Sequence, residues 1–95
     1  MLYIVHCIDR KDALAKRKQF YEEHRAYIGT ASSKRIAVVM SGPLVSDDGA
    51  TMIGSLFLIE APGRGDVEAF NRADPFAAAD IWEKVTITGF LRRQG

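Results

Sequence analysis

Two titratable side chains, His24 and Asp74, stand in sequence surroundings that suit proton chemistry. His24 lies in "EEHRAYI", with Phe20, Tyr21, Tyr27 and Ile28 about one helical turn away on either side. An imidazole titrates near neutral pH, so a histidine partly withdrawn from water can take and return a proton. The same position also suits a core histidine satisfied by a backbone carbonyl. Asp74 stands in "RADPFAAAD", and Asp at an N-cap with Pro75 at the first helical position is a favoured helix start. A carboxylate held in place by backbone N–H groups can also orient an imidazole or balance its charge. Capping and chemistry are compatible roles for one residue.

The remaining candidates carry less. Ser41-Gly42-Pro43 could present backbone groups to a ligand, but a kink ending a strand is the simpler account. His6 and Cys7 are neighbours on a strand and point to opposite faces, so they cannot readily share a metal. No Cys-x-x-Cys or His-Glu-x-x-His spacing occurs, and neither a metal site nor a cofactor is expected. Cys7 reads as a small buried hydrophobe. Asp47-Asp48-Gly49 lacks the other ligands of a calcium loop and reads as a turn. Gly63 and Gly65 lack the strand before and the Lys-Ser/Thr after that a phosphate loop needs.

The elements that position these residues follow from periodicity. Residues 2–8, "LYIVHCI", read as a strand. Asp12 is a possible N-cap for a long helix reaching about Ala31, with Leu14, Tyr21, His24, Ile28 and Ala31 at three- and four-residue steps on one face. Lys16, Arg17, Lys18, Glu22, Glu23 and Arg25 supply the polar remainder. "RIAVVMSGPL" gives a second strand broken at Gly42-Pro43, and "TMIGSLFLIEA" a third ended by Pro62-Gly63. "GDVEAFNRA" has helical spacing through Val67 and Phe70, with Asp66 as a possible cap, and a short turn or helix follows Asp74. "KVTITGFLRR" alternates as a fourth strand. The βαββαβ order predicts an α+β, ferredoxin-like fold: a four-stranded antiparallel sheet with two helices on one face.

At 95 residues the chain is expected to form one domain, residues 1–95. The net charge of +1 gives no electrostatic footprint of a nucleic-acid binder. No apolar run approaches the roughly 20 residues that cross a bilayer. "MLYIVHCIDR" is too short and too soon charged for a signal peptide, and the lone cysteine excludes an internal disulfide. A cytoplasmic setting is the expectation. Both strand faces are apolar: Leu2, Ile4 and Ile8 oppose Tyr3, Val5 and Cys7, and Ile36, Val38 and Met40 oppose Ala37 and Val39. In the third strand both Leu56/Leu58 and Phe57/Ile59 are apolar. Two helices cover one face, so the other calls for a second copy of the chain and predicts a homodimer packed sheet to sheet.

Taken in order, "EEHRAYI" in the first helix, "MSGPL" after the second strand, "IGSLFLIEA" in the third and "ADPF" after the second helix resemble the YCII-related (YciI-like) family over nearly the whole chain. The resemblance implies a ferredoxin-like fold in a dimeric α+β barrel, with a His and an Asp facing a pocket. By position these are His24 and Asp74, with Gly42, Pro43 and Phe76 near the same pocket and Ser41 beside them. The chain departs from the family at Arg25, where an aliphatic residue is common, and at "SSKR", where a glycine is frequent. Activities assigned in the family are lyase- or isomerase-like reactions on small cyclic or aromatic compounds.

Two functions remain open at this level. One is a small enzyme in which His24 moves a proton and Asp74 orients it. The other is a non-catalytic, dimeric small-ligand or regulatory module. An RNA-recognition domain shares the element order, but "IGSLFLIE" offers only Phe57 for stacking and no basic residue, so no nucleic-acid partner is expected.

Overall fold

The computed structural model describes residues 1–95. Its elements are β1 (Leu2–Asp9), α1 (Leu14–Ile28), β2 (Ala37–Val45), β3 (Met52–Glu60), α2 (Arg64–Arg72), α3 (Pro75–Ala78) and β4 (Trp82–Phe90). A short 3-10 turn, Ala31–Lys34, links α1 to β2. The sheet order is β2-β3-β1-β4, and all three pairings are antiparallel. This is the ferredoxin-like arrangement that the element order predicts.

Alternation sets the inner layer. Tyr3, Val5 and Cys7 from β1 and Phe57 and Ile59 from β3 pack against Val67, Phe70 and Phe76 from the helices. Ile81 and Trp82 close the core at the start of β4. The opposite face of β1 carries Leu2, Ile4, His6 and Ile8, which pair in register with Glu60, Leu58, Leu56 and Gly54.

Three local expectations are corrected. Asp12 does not cap α1: it adopts φ 63° in the preceding turn, and the cap position is Ala13, without a side-chain bond. The helix ends at Ile28, not near Ala31, because Gly29 and Thr30 lead into the 3-10 turn. Asp66 lies within the first turn of α2, whose N-cap is Gly63. An acid there still complements the amino end of the helix.

The largest correction concerns β2. The strand runs unbroken through Gly42-Pro43 to Val45. Pro43 is tolerated because β2 is an edge strand, where a missing N–H costs no central ladder bond. The register shifts between Val38, opposite Ile59, and Met40, opposite Leu58. Val39 is therefore an extra residue in the ladder, a bulge that inverts the alternation beyond it. Ile36 and Val38 face the core as a pair, but Met40 faces the other side of the sheet and is 56% exposed.

Candidate functional site

The loop between α2 and α3 fixes Asp74. Its backbone is extended, at φ −65° and ψ 135°, and Pro75 takes the first helical position behind it. The Phe76 amide donates to Asp74 Oδ1 at 2.8 Å, so the residue does cap α3. The same oxygen lies 2.8 Å from His24 Nδ1. A carboxylate only accepts, so His24 donates from Nδ1, and in the neutral imidazole the lone pair is the one on Nε2. The Asp74 side chain is 1% exposed and that of His24 is 14% exposed. The carboxylate is sealed in while the imidazole still reaches solvent.

Aromatic rings hold the imidazole flat. His24 stacks on Phe76 with ring centroids 3.9 Å apart and planes 4° from parallel. Phe57 and Trp82 meet it edge-on at 6.0 and 6.4 Å. Bonded at Nδ1 and packed on a face, the ring has little freedom left. This is the restraint a proton-transfer group needs, because its reach is a single hydrogen-bond distance.

His24 opens onto a cavity of about 590 Å³. Ser41, Gly42, Pro43 and Phe76 line it, together with Tyr21, Ile28, Met52 and Phe57. The Val39 bulge explains the β2 contribution. Beyond it, Ser41 and Pro43 sit opposite Phe57 and Ser55, on the helix side of the sheet. Were Val39 paired in regular alternation instead of bulged, they would point away. No three His, Cys, Asp or Glu side chains gather as a metal-binding group.

Sequence reasoning missed Arg17. Read as part of a polar face, it is 4% exposed and paired with Asp9, itself 6% exposed. Its Nε donates to Asp9 Oδ2 at 2.5 Å, and Nη2 donates to Asp9 Oδ1 at 3.2 Å, to Ser55 Oγ at 2.5 Å and to the Gly54 carbonyl. Gly54 has to be glycine, since a Cβ there would run into the Cys7 carbonyl oxygen. Arg17 also lies over the Phe76 ring, with Cζ 5.1 Å from its centroid, and joins the cavity wall. The available signal was its spacing: seven residues before His24 is two turns, hence the same helix face. Arg25 and Lys18, from the exposed side of α1, stand at the cavity as well.

His6 and Cys7 take opposite faces. His6 is exposed on the outer face, whereas Cys7 is fully buried and receives a long contact of 3.9 Å from Asn71 Nδ2. Burial pushes the Cys7 thiol up to about 12, against the lowering effect of Asn71, so it is no nucleophile at neutral pH.

Comparisons with known proteins agree with this architecture. The family model of the YCII-related domain matches residues 1–91. The YciI proteins of Escherichia coli O6:H1 and Shigella flexneri are each 27% identical over 97 aligned positions, covering 97% of this chain and 98% of theirs. Among solved structures, 5-chloro-2-hydroxyhydroquinone dehydrochlorinase (TftG) from Burkholderia phenoliruptrix AC1100, in complex with 2,5-dihydroxybenzoquinone, superposes with a TM-score of 0.87. It is 26% identical, and the match covers 98% of this chain and 96% of that one. The At3g17210 protein of Arabidopsis thaliana shares the fold at 11% identity and a TM-score of 0.54, over 99% and 96% of the two chains.

Proposed function

The chain belongs to the YCII-related family, and on that premise we propose that it is a small enzyme using His24 and Asp74 for proton transfer on a small cyclic or aromatic compound. The observation that carries this reading is the 2.8 Å bond from His24 Nδ1 to a sealed Asp74, with the imidazole at the wall of a cavity. In this mechanism Nε2 takes a proton from a ring carbon or hydroxyl. Asp74 keeps the ring in the Nδ1–H tautomer and offsets the positive charge that forms on it. The electron pair released from a C–H bond becomes a new double bond, and a leaving group departs with its own pair. When no group leaves, the proton returns to another atom and the reaction is an isomerisation. A dehydrochlorinase with the same fold supports this reaction class. Ser41, Gly42, Pro43 and Phe76 are assigned to substrate binding, and the working unit is a homodimer built on the outer sheet face.

The experiment is turnover of halogenated and hydroxylated ring compounds, beginning with 5-chloro-2-hydroxyhydroquinone and read as chloride release. His24→Ala lowers turnover by about 10²–10⁴-fold, the usual share of general acid–base catalysis. Undiminished turnover in both His24→Ala and Asp74→Asn rules the mechanism out. Saturable binding with no turnover of any such compound would make the chain a ligand-binding module.

A further inference from the structure

A second cavity, of about 430 Å³, adjoins the one at His24. Ile28 of α1 and Ser41 of β2 line both, so the two meet between the end of the helix and the middle of the strand. Ile28 stands four residues beyond His24, on the same helix face and roughly 6 Å along its axis. A group held at His24 therefore has the second cavity within reach of a short substituent.

The two cavities differ in kind. Arg17, Lys18, His24 and Arg25 line the first. The second has no charged side chain, and its polar ones are the hydroxyls of Ser32 and Ser41. Buried Ala31 and Ile36 form its floor with half-buried Val38, and exposed Ala37 and Met40 form its rim. The hollow has a local cause. α1 ends at Ile28, and the chain passes through the 3-10 turn Ala31–Lys34 before β2 begins at Ala37. β2 is an edge strand, so no further strand closes that side. Apolar surface left open in this way favours any alkyl group that covers it, whereas a polar group would be desolvated there without a charged partner.

We propose that the second cavity is a subsite for an apolar tail: the ligand carries a short alkyl chain on the head group that reaches His24, and that chain passes between Ile28 and Ser41. A tail joined to the head is favoured over a separate partner because the cavities are continuous at those two residues. Once the head is seated, a tethered group binds at high effective concentration. The place of the head beside His24 rests on the enzymatic reading, and that of the tail rests on the adjoining cavities and their difference in charge.

The test is calorimetric titration with 4-ethylresorcinol, 4-butylresorcinol and 4-hexylresorcinol, one hydroxylated head with tails of rising length. Affinity for the unaltered protein rises about two- to fourfold per methylene, the lower figure for a tail left partly in water. Ethyl to hexyl therefore spans at least about 16-fold. Ser32 is exposed on the 3-10 turn, so Ser32→Trp and Ser32→Asp keep the fold, which near-ultraviolet circular dichroism checks. The first substitution fills the cavity and the second places a charge in it, and both flatten the series. A flat series in the unaltered protein, or no binding of any of the three at millimolar concentration, overturns the proposal. So does a steep series that persists in both variants. A flat series, with Ser32→Trp sedimenting as a monomer where the unaltered protein is a dimer, gives the cavity to a second copy of the chain instead. Chloride release with a flat series keeps the enzymatic reading and removes this one. A steep series that both variants flatten, without turnover of any ring compound, does the reverse.

Discussion

Asp74 Oδ1 accepts two hydrogen bonds, one that starts α3 and one that holds His24. Substitution can separate these roles. Asparagine caps a helix about as well as aspartate, so Asp74→Asn should unfold within about 0.5 kcal/mol of the unaltered protein. It removes the negative charge that offsets an imidazolium, and turnover should fall by about 10²-fold or more. Asp74→Ala loses the cap too, at about 1–2 kcal/mol. Urea titration and steady-state rates measure the two effects independently, and equal damage by both variants would refute the division. Cys7 offers a test of burial. Its folded thiol is raised to about 12 from an ordinary 9.0, so the protonated form is the one the fold favours. Its contribution to stability is complete below pH 9.0 and is lost as pH rises toward about 12. Cys7→Ala should flatten that alkaline decline. At pH 8 the native thiol should resist iodoacetamide and react only in denaturant.

The elements are tied together by Arg17. From α1 it reaches Asp9 at the end of β1 and both Gly54 and Ser55 on β3, joining a helix to two strands. A buried pair broken on one side leaves an uncompensated charge, at about 3–5 kcal/mol. Arg17→Ala should lower the unfolding free energy by that amount, and a loss under about 1 kcal/mol would show that the network is ornamental to stability. The contrast with Asp74 shows what the sequence could reveal. His24 and Asp74 were legible because each sits in a local pattern: an aromatic helix face, and an aspartate-proline start. Arg17 was hidden because its partners come from two other elements, and a cation on a mixed helix reads as solvated until the sheet is folded beneath it. The β2 alternation failed for a related reason. An extra residue in a ladder leaves no compositional mark at Val39, since valine suits either face.

For the whole molecule, the outer sheet face remains to be covered. Ile8, Met40 and Phe90 are 37%, 56% and 37% exposed there. Ile4 sits at its centre, paired in register with Leu58 and Thr88. The proposed dimer predicts that Ile4→Glu sediments as a monomer while keeping the His24–Asp74 bond, because both residues come from one chain. A monomeric unaltered protein at micromolar concentration would end that proposal. The Val39 bulge reaches both surfaces at once. It works as a parity switch: Ser41 and Pro43 fall to the cavity side, while Met40 and Leu44, opposite Leu58 and Gly54, fall to the outer side. Deleting that one valine would make Val38 and Met40 consecutive partners of Ile59 and Leu58, so every letter of "MSGPL" would keep its present side in a regular ladder. Pairing Val39 into the ladder without a bulge would instead turn Ser41 and Pro43 outward and Met40 inward, and the cavity would lose its β2 wall and the outer face its apolar edge together. Two chains can thus spell the same motif and present different surfaces, and whether the residue before the motif is bulged or paired decides which.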